Sequence, residues 1–319
     1  MISSEFLKIA KKQHYGIAGK NSAVQICRWT KKSLLNEGFC YKEKFYGISS
    51  HLCCQMSPSV AWCHNKCLHC WRAIEYTLGS KLEKKEVDSP KIVINECITQ
   101  QRKMLSGFNG NKKVNKAKFA EASDPTQFAI SLAGEPTIYP FISELISQLR
   151  KMKKTSFLVT NGMLPQKIKE MKKEDSLPTQ LYVSVNAPNK EIFNKICNSS
   201  LADGWERLNK TLKEISNIHS RTVFRMNLVR ELNMTQHENY AAMIKKSKPS
   251  FVEIKGFMSV GFSRQRLPYE RMPSHQEIME FSQKIAKLCN LKVLDEKIES
   301  RVVVLGKDKK ELKIKKKEY

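Results

Sequence analysis

Short apolar runs alternate with amphipathic stretches from about residue 59 to residue 288. The runs are rich in β-branched and aromatic residues, as buried strands are, and the stretches between them repeat their apolar residues with a helical period. The runs that predict strands are 59–62, 128–133, 156–160, 181–185, 223–229 and 251–255. The stretches that predict helices include 91–108, 141–153 and 274–288. Strands that alternate with helices indicate a parallel sheet with crossover helices.

Counting the run at 59–62 as the first strand gives six strand–helix units. We therefore predict an α/β fold, a partial (β/α)6 barrel that resembles an open TIM barrel. Functional sites in such barrels lie at the carboxyl ends of the strands. The predicted organisation is an N-terminal extension over 1–55 with helices at 6–13 and 23–35, the barrel over 56–306, and a basic C-terminal tail over 307–319.

The charge of the chain indicates its class of partner. Lys and Arg number 56 against 31 Asp and Glu, a formal net charge of +25. So basic a protein usually binds a polyanion, most often nucleic acid, although an anionic membrane surface is an alternative. The N-terminus lacks a signal peptide pattern, and no apolar run approaches the length of a membrane span. We expect a cytoplasmic monomer without membrane association, whose ten cysteines serve metal binding or catalysis and not disulfides.

Three cysteines follow the first predicted strand in the spacing C-x3-C-x2-C. These are Cys63, Cys67 and Cys70. Three thiolates on one tight loop suit a cubic 4Fe–4S cluster and leave its fourth iron without a protein ligand. That iron can hold a small molecule. The alternative is a structural zinc site in which His64 or His69 supplies the fourth ligand.

Polar residues and glycines cluster where the predicted strands end. Carboxyl ends of parallel strands meet at one rim, so these residues and the cluster loop predict one pocket. Ordinary turn chemistry is the alternative for each residue alone. The rim residues are Gly134, Glu135, Pro136, Asn161, Ser184, Asn186, Arg225, Asn227, Glu253 and Lys255.

The cysteine triplet and the predicted barrel resemble the radical S-adenosylmethionine (SAM) superfamily. In that superfamily the open iron of the cluster chelates the amino and carboxylate groups of SAM. By resemblance, Gly134-Glu135-Pro136 holds the SAM amino group, and Asn161, Ser184 and Asn186 meet its carboxylate and ribose. His69 takes the place of the aromatic residue that neighbours the adenine. Asn186 departs from the acidic residue that many relatives carry there.

Longer segments are similar to the archaeal family of tRNA 4-demethylwyosine synthases. The matching segments are 40–47, 58–63, 70–72, 130–137 and 253–263. The resemblance implies that N1-methylguanosine at position 37 of tRNA(Phe) condenses with pyruvate to give the tricyclic base 4-demethylwyosine. A 5′-deoxyadenosyl radical made from SAM would abstract hydrogen from the N1-methyl group, with electrons from an unidentified donor.

The same resemblance assigns further residues. It places a second 4Fe–4S cluster on Cys27, Cys40 and Cys53, and matches Lys42 to a lysine proposed to form a Schiff base with pyruvate. A lysine that contacts phosphate is the alternative for Lys42. For tRNA binding, the mixture of aromatic and cationic character indicates Trp71, Arg72, Arg264 and Arg266.

Two other functions compete with this interpretation. Another radical SAM enzyme, such as an activase that makes a glycyl radical in a partner protein, would share the cysteine triplet and the Gly134-Glu135-Pro136 motif. It would not explain the N-terminal cysteines or the positive charge. A zinc-bearing RNA-binding protein without catalysis would explain the charge and one metal site.

Overall fold

The structure, a computed structural model, describes residues 2–218 and 220–315. Within these residues ten strands form one mixed sheet. The strands are β1 (Gly16–Ala18), β2 (Ser22–Gln25), β3 (Cys53–Ser57), β4 (Gln127–Ile130), β5 (Thr155–Thr160), β6 (Gln180–Ser184), β7 (Arg221–Leu228), β8 (Phe251–Gly256), β9 (Lys292–Lys297) and β10 (Val302–Gly306).

The central strands form the partial barrel. The six strands β3 to β8 lie side by side in chain order, and each neighbouring pair is parallel. β2 and β1 continue the sheet antiparallel beyond β3, and β10 and β9 continue it antiparallel beyond β8. The sheet therefore ends at two edges, β1 and β9, instead of closing. This confirms the predicted α/β partial barrel with its six parallel strands.

Helices cover the outer face of the barrel, except for one short helix that lies inside it. The described helices are α1 (Ser4–Lys12), α2 (Arg28–Leu34), α3 (Tyr41–Tyr46), α4 (Pro90–Leu105), α5 (Lys116–Glu121), α6 (Ile142–Lys151), α7 (Pro165–Lys173), α8 (Lys190–Cys197), α9 (Gly204–Ile215), α10 (His237–Ser247) and α11 (His275–Cys289). Local sequence determines where some of these helices begin. Ser274 and Glu277 form a capping box at the start of α11, and Pro90 is the first residue of α4. None of these helices, over the residues described, is both long and apolar enough to cross a membrane.

The first predicted strand was wrong. β4 to β8 match the other five predicted strands, but residues 59–62 lie in a loop and the first parallel strand is β3, Cys53–Ser57. Val60 and Ala61 are fully buried in that loop, and the Val60 N–H donates to the Asn21 carbonyl oxygen at 3.1 Å. An apolar run of this length indicates burial, and burial does not distinguish a strand from a packed loop.

The predicted helix over 23–35 was wrong in its first half. Residues Ser22–Gln25 form β2, which pairs with both β1 and β3, and α2 begins only after Cys27. The predicted boundary at residue 55 falls inside β3, so the N-terminal extension and the barrel share one sheet. Of the predicted tail, residues 316–319 lie outside the described residues.

Aromatic side chains fill the interior of the barrel near the amino-terminal ends of its strands. Phe157, Tyr182 and Phe251 project inward from β5, β6 and β8. Tyr46 of α3 packs between them, with ring centroids 5.8 Å from Phe157 and 6.1 Å from Phe251. The short helix α3 thus lies inside the barrel, and the opposite end is left for a cavity.

Asn233 ties together the carboxyl ends of β6 and β7. The side chain is fully buried, and its oxygen accepts from the Val229 N–H at 2.6 Å. Its amide nitrogen donates to the carbonyl oxygens of Asn186 at 2.8 Å and Asn227 at 3.0 Å. Backbone groups that strand pairing leaves over are thereby satisfied beside the cavity.

The substitution Asn233→Ala should lower the free energy of unfolding by about 2–4 kcal/mol, because three buried backbone groups lose their partner. Denaturant unfolding under anaerobic conditions measures the change. Asn239→Ala is the matched control, since Asn239 is exposed and hydrogen-bonds Gln236. The control should change stability by less than about 0.5 kcal/mol. Equal effects of the two substitutions would contradict the role of Asn233.

Candidate active site

One cavity of about 510 Å³ opens at the carboxyl ends of the parallel strands. A cavity of this size accommodates a ligand as large as a nucleoside cofactor. The predicted site residues that line it are Cys27, Cys40, Lys42, Cys53, Cys63, Cys67, His69, Cys70, Trp71, Arg72, Gly134, Glu135, Asn161, Ser184 and Asn186. The predicted residues Pro136, Arg264 and Arg266 are not part of this lining.

The loop that carries Cys63, Cys67 and Cys70 is held by backbone hydrogen bonds on both sides. The Cys63 N–H donates to the Gly79 carbonyl oxygen at 2.9 Å. The Leu68 N–H donates to the Ile196 carbonyl oxygen in α8, also at 2.9 Å. Because these bonds do not involve the thiols, the loop geometry is fixed while the three sulfur atoms remain available to a ligand.

The chemistry of these thiols suits an iron–sulfur cluster. Burial raises the pKa of Cys63 to about 12, so the protein alone favours the neutral thiol and iron must displace the proton. The Asn65 N–H lies 3.4 Å from the Cys63 sulfur and favours its thiolate. In the described part of the chain no group of three or more His, Cys, Asp or Glu is arranged to hold a single metal ion.

The structure brings the second set, Cys27, Cys40 and Cys53, to the same cavity. Cys27 caps α2 and its sulfur lies 3.3 Å from the Thr30 N–H. Cys40 caps α3, and burial together with the neighbouring Cys27 raises its pKa to about 11. Burial and the neighbouring Cys27 likewise raise the pKa of Cys53, the first residue of β3. Two desolvated thiols, Cys40 and Cys53, beside that of Cys27 fit a second cluster.

Gly134 and Glu135 hold the carboxyl end of β4 against the segment that leads into the cluster loop. Gly134 has φ +71°, and a Cβ there would collide with the Ser59 carbonyl oxygen. The Glu135 N–H donates to the Trp62 carbonyl oxygen at 2.7 Å. One carboxylate oxygen of Glu135 accepts from both hydroxyls of Thr137 and Thr160 at 2.6 Å.

The other oxygen of Glu135 has capacity for a cationic ligand. It accepts from the Asn161 N–H at 2.7 Å, and burial raises the pKa of this carboxyl. An ammonium group placed there would favour the ionised form. The Asn161 amide nitrogen in turn lies 3.8 Å from the Cys63 sulfur. Glu135 and Asn161 thus stand directly beside the cluster loop, as the superfamily resemblance predicts for residues that hold SAM.

His69 and Asn186 form a second polar wall. The Asn186 amide nitrogen lies 3.5 Å from His69 Nε2, and its oxygen accepts from the Asn227 N–H at 3.0 Å. His69 Nδ1 is buried and has no hydrogen-bond partner among the described residues. Burial lowers the pKa of His69 to about 4, so the ring is neutral at physiological pH. A neutral ring with an unsatisfied nitrogen fits a heteroaromatic ligand such as adenine.

The surroundings of Arg72 and Arg266 favour a structural role over the predicted contact with RNA. Arg72 is buried, and its guanidinium donates to the Asn65 carbonyl oxygen at 2.9 Å and the Thr77 hydroxyl at 3.0 Å. Arg266 donates to the carbonyl oxygens of Leu68, at 3.2 Å, and Cys70. Carbonyl oxygens of the cluster loop occupy these cations, so both arginines brace the loop.

The other two predicted RNA-binding residues are more accessible. Trp71 is half-buried at the cavity, and its ring lies 6.1 Å from that of Tyr15. Arg264 is exposed and donates to the Ser259 carbonyl oxygen at 2.9 Å. Nothing in the geometry assigns them to RNA, and their role stays a prediction.

Lys42 reaches into the barrel from the first turn of α3. Its Nζ lies 5.1 Å from the centroid of the Phe157 ring and 5.0 Å from that of Tyr182. Burial and the nearby Arg225 lower the pKa of Lys42. A larger neutral fraction makes its amine a better nucleophile, as carbonyl chemistry requires. The predicted alternative, a surface lysine that contacts phosphate, does not fit its burial.

Sequence reasoning named Arg225 and Lys255 only as rim residues, and the structure places both in the cavity wall beside Lys42. A signal for them exists in the sequence. Polar residues at alternate positions interrupt both strands, Arg225 and Asn227 in β7 and Glu253 and Lys255 in β8, and alternate positions face the same side of a sheet.

Comparison with protein families gives two matches. Residues 57–244, more than half of the chain, match the family described as the radical SAM superfamily. Residues 246–307 match the family described as wyosine base formation. The first match contains the cluster loop and the residues predicted to hold SAM. The second match contains β8 and the segment that carries Arg266.

Whole-chain relatives agree with these families. The chain is 47% identical over 305 residues to the S-adenosyl-L-methionine-dependent tRNA 4-demethylwyosine synthase of Pyrococcus horikoshii, covering 95% of this chain and 89% of that protein. The protein of the same name in Methanocaldococcus jannaschii is 34% identical, with 98% and 99% covered. A solved structure described as TYW1 with a lysine–pyruvate adduct bound has a TM-score of 0.87 at 34% identity, covering 99% of both chains.

The similarity extends over nearly the whole of each archaeal relative and both family matches. It confirms the resemblance found in the sequence and disfavours both the glycyl-radical activase and the non-catalytic zinc protein. This chain is a SAM-dependent radical enzyme and belongs to the family of tRNA 4-demethylwyosine synthases.

Proposed function

We propose that the enzyme condenses N1-methylguanosine at position 37 of tRNA(Phe) with pyruvate and so forms 4-demethylwyosine. The observation that carries the proposal is the single cavity that Lys42 shares with both sets of three cysteines. The names of the relatives support the product, and the lysine–pyruvate adduct of one solved neighbour supports the co-substrate. The two radical SAM and wyosine family matches are consistent with both.

The cysteines are proposed to hold two 4Fe–4S clusters, one on Cys63, Cys67 and Cys70 and the other on Cys27, Cys40 and Cys53. When bound, the first cluster and SAM supply a radical that can take hydrogen from the unactivated N1-methyl carbon, which no acid or base side chain could deprotonate. Glu135 would accept a hydrogen bond from the SAM ammonium group, and Asn161, Ser184, Asn186 and His69 would contact the rest of the cofactor. Pro136 fixes the turn that follows Glu135.

Lys42 is proposed to bind pyruvate covalently. Its neutral amine adds to the carbonyl carbon, and loss of water leaves a Schiff base. Packing against the rings of Phe157 and Tyr182 excludes bulk water from this bond, and burial lowers the pKa of the amine. The alternative is that the second cluster alone orients the pyruvate carbonyl as a Lewis acid.

The tRNA must present its base to the cavity. The target base has to leave the stack of the anticodon loop, and an aromatic surface such as Trp71 can receive it. The net charge of +25 attracts the phosphate backbone, with exposed cations such as Arg264 as contacts. An electron donor of unknown identity completes the set of partners.

Incubation of the anaerobically purified enzyme with N1-methylguanosine-containing tRNA, pyruvate, SAM and a reductant should produce a tricyclic base. Nuclease digestion and mass spectrometry of the nucleosides measure it. Cys63→Ala is expected to abolish the product, because the SAM-binding cluster loses a ligand. If the wild-type enzyme cleaves SAM and yet leaves the guanosine unchanged, the proposed reaction is wrong.

Replacement of Cys27, Cys40 and Cys53 by Ala should lower the iron content from about eight to about four per chain. Product formation should be lost while slow SAM cleavage at the first cluster persists. Iron assay after anaerobic purification measures the change. Cys54→Ala is the matched control, because Cys54 neighbours Cys53 but packs in the outer core. An unchanged iron content in the triple variant would refute the second cluster.

Arg266→Ala should release iron faster to a chelator and lower the free energy of unfolding by roughly 2–4 kcal/mol, because carbonyl oxygens of the cluster loop lose a charged donor. Arg264→Ala, two residues away and exposed, should leave both properties unchanged. Iron release after addition of a chelator and denaturant unfolding measure the pair. Similar iron release from the two variants would show that Arg266 does not brace the loop.

A further inference from the structure

The end of α8 runs alongside the cluster loop. This helix ends at Cys197, and the next residue, Asn198, has φ +43°, which turns the chain back along the loop. The Lys66 N–H donates to the Asn198 carbonyl oxygen at 3.1 Å. The Leu68 N–H donates to the Ile196 carbonyl oxygen at 2.9 Å. Residue numbers rise along the loop as those of the partners fall, so the two segments pair antiparallel.

This register sets Cys67 opposite Cys197. Asn65 and Ser199 form an antiparallel bridge in the same register. The pair of cysteines lies between the two hydrogen bonds, and Cα atoms in such a pair of an antiparallel ladder are about 4.5 Å apart. Disulfides join Cα atoms that are about 4.4–6.8 Å apart. The backbone therefore brings the two thiols into the range that a disulfide needs.

The side chains of the two cysteines agree with this register. Both line the cavity; Cys197 is buried, and Cys67 is partly buried and packs against the outer core that contains Cys197. Of the groups that raise the pKa of Cys67, the side chain of Cys197 has the largest effect. Backbone pairing and side-chain environment thus both place the two thiols together.

Cys197 differs from the other cysteines that neither proposed cluster uses. The structure describes all ten cysteines, and of the four outside the proposed clusters only Cys197 lines the cavity. Cys54 and Cys97 are fully buried in the outer core. Cys289 ends α11, where its sulfur lies 3.8 Å from the Ala241 carbonyl oxygen. A small oxidant in the cavity therefore reaches one uncommitted thiol, and that thiol stands beside a cluster ligand.

We propose that Cys67 and Cys197 form a reversible disulfide on exposure to hydrogen peroxide when the first cluster is absent. The disulfide keeps the sulfur of Cys67 at an oxidation level that a thiol reductant reverses, whereas thiols do not reverse a sulfinic or sulfonic acid. The proposal rests on the proposed function, in which Cys67 is a ligand of the first cluster. Cys197 thereby protects the site for renewed cluster assembly.

The reaction consumes one hydrogen peroxide for each disulfide. The Cys67 sulfur attacks one peroxide oxygen and the O–O bond breaks, which leaves a sulfenic acid and, after proton transfer, water. The Cys197 sulfur then attacks the Cys67 sulfur, the S–O bond breaks, and the second oxygen leaves as water. The two thiols together lose two protons and two electrons, which the peroxide gains. The charge of the buried Arg72 acts on the pKa of Cys67 in the opposite direction to Cys197 and favours the thiolate that begins the reaction.

The test is peptide mapping of cluster-free protein after brief treatment with hydrogen peroxide. Iron is removed anaerobically with a chelator and a thiol reductant, the reductant is removed, and free thiols are alkylated after the treatment. Trypsin separates the two cysteines into peptides 67–72 and 196–207, which the disulfide joins. The wild type should give this linked peptide, and dithiothreitol should remove it. Fragmentation in the mass spectrometer distinguishes a bond to Cys67 from one to Cys70 of the same peptide.

Cys197→Ala and Cys197→Ser should each abolish the linked peptide and leave Cys67 open to further oxidation. We expect several-fold more sulfinic and sulfonic acid on Cys67 in these variants than in the wild type at the same peroxide exposure. Cys289→Ala is the matched control, because Cys289 also ends a helix before an asparagine in the left-handed conformation. The control should form the disulfide as the wild type does.

Recovery of the first cluster is the second readout. The oxidised protein is reduced with dithiothreitol, supplied with iron and sulfide, and assayed for SAM cleavage with a reductant and without tRNA. The wild type should regain the rate of its unoxidised sample. Both Cys197 variants should remain several-fold below the rates of their own unoxidised samples.

Three results would contradict parts of this proposal. Absence of the linked peptide in the wild type, or a bond from Cys67 to Cys63 or Cys70 in its place, overturns the pair. Equal recovery in the wild type and in the Cys197 variants overturns the protective role. The proposed assignment of the first cluster fails separately, if unoxidised Cys67→Ala cleaves SAM at the wild-type rate.

Discussion

The buried carboxylate of Glu253 fixes the geometry on which the site depends. It lies in the barrel wall and accepts hydrogen bonds from Tyr46 and Tyr41 of α3 at 2.5 and 3.2 Å. A helix of six residues is too short to persist without tertiary contacts. These two bonds and the aromatic packing of Tyr46 hold it inside the barrel. Cys40 and Lys42 stand at its start, so the placement of a cluster ligand and of a reactive amine both follow from this anchor.

Burial shifts the pKa of the thiols and the pKa of the Lys42 amine in opposite directions. Burial raises the pKa of Cys40 and Cys63 and lowers that of Lys42, so it shifts each group toward its neutral form. For the thiols this makes metal binding a proton-releasing step. For the amine it provides the free lone pair that attack on a carbonyl needs. One desolvated cavity thus prepares two different reactions, and Arg225 strengthens the second through its charge.

The two family-matched portions of the chain interlock at the cluster loop. The portion at 246–307 contributes Glu253, which anchors α3, and Arg266, which bonds the loop carbonyl oxygens. It also contributes Gly261, where a Cβ would collide with the Trp71 carbonyl oxygen and where φ is +56°. The part of the chain related to wyosine formation therefore supports the radical SAM loop mechanically, besides bringing Lys255 to the cavity.

The sequence by itself determined the order of β4 to β8 and the cluster loop. Buried parallel strands are continuous apolar runs, and C-x3-C-x2-C places three thiols on one turn whatever surrounds it. Spacings of thirteen residues between Cys27, Cys40 and Cys53 hold no information about distance in space, so only resemblance predicted their association. Tertiary structure alone made β3 the first parallel strand and placed Arg266 against carbonyl oxygens of the cluster loop. The physical reason is that burial and hydrogen-bond partners come from segments remote in sequence, which a local pattern cannot encode. Arg266, for example, donates to the carbonyl oxygens of Leu68 and Cys70, which lie 198 and 196 residues away in the chain.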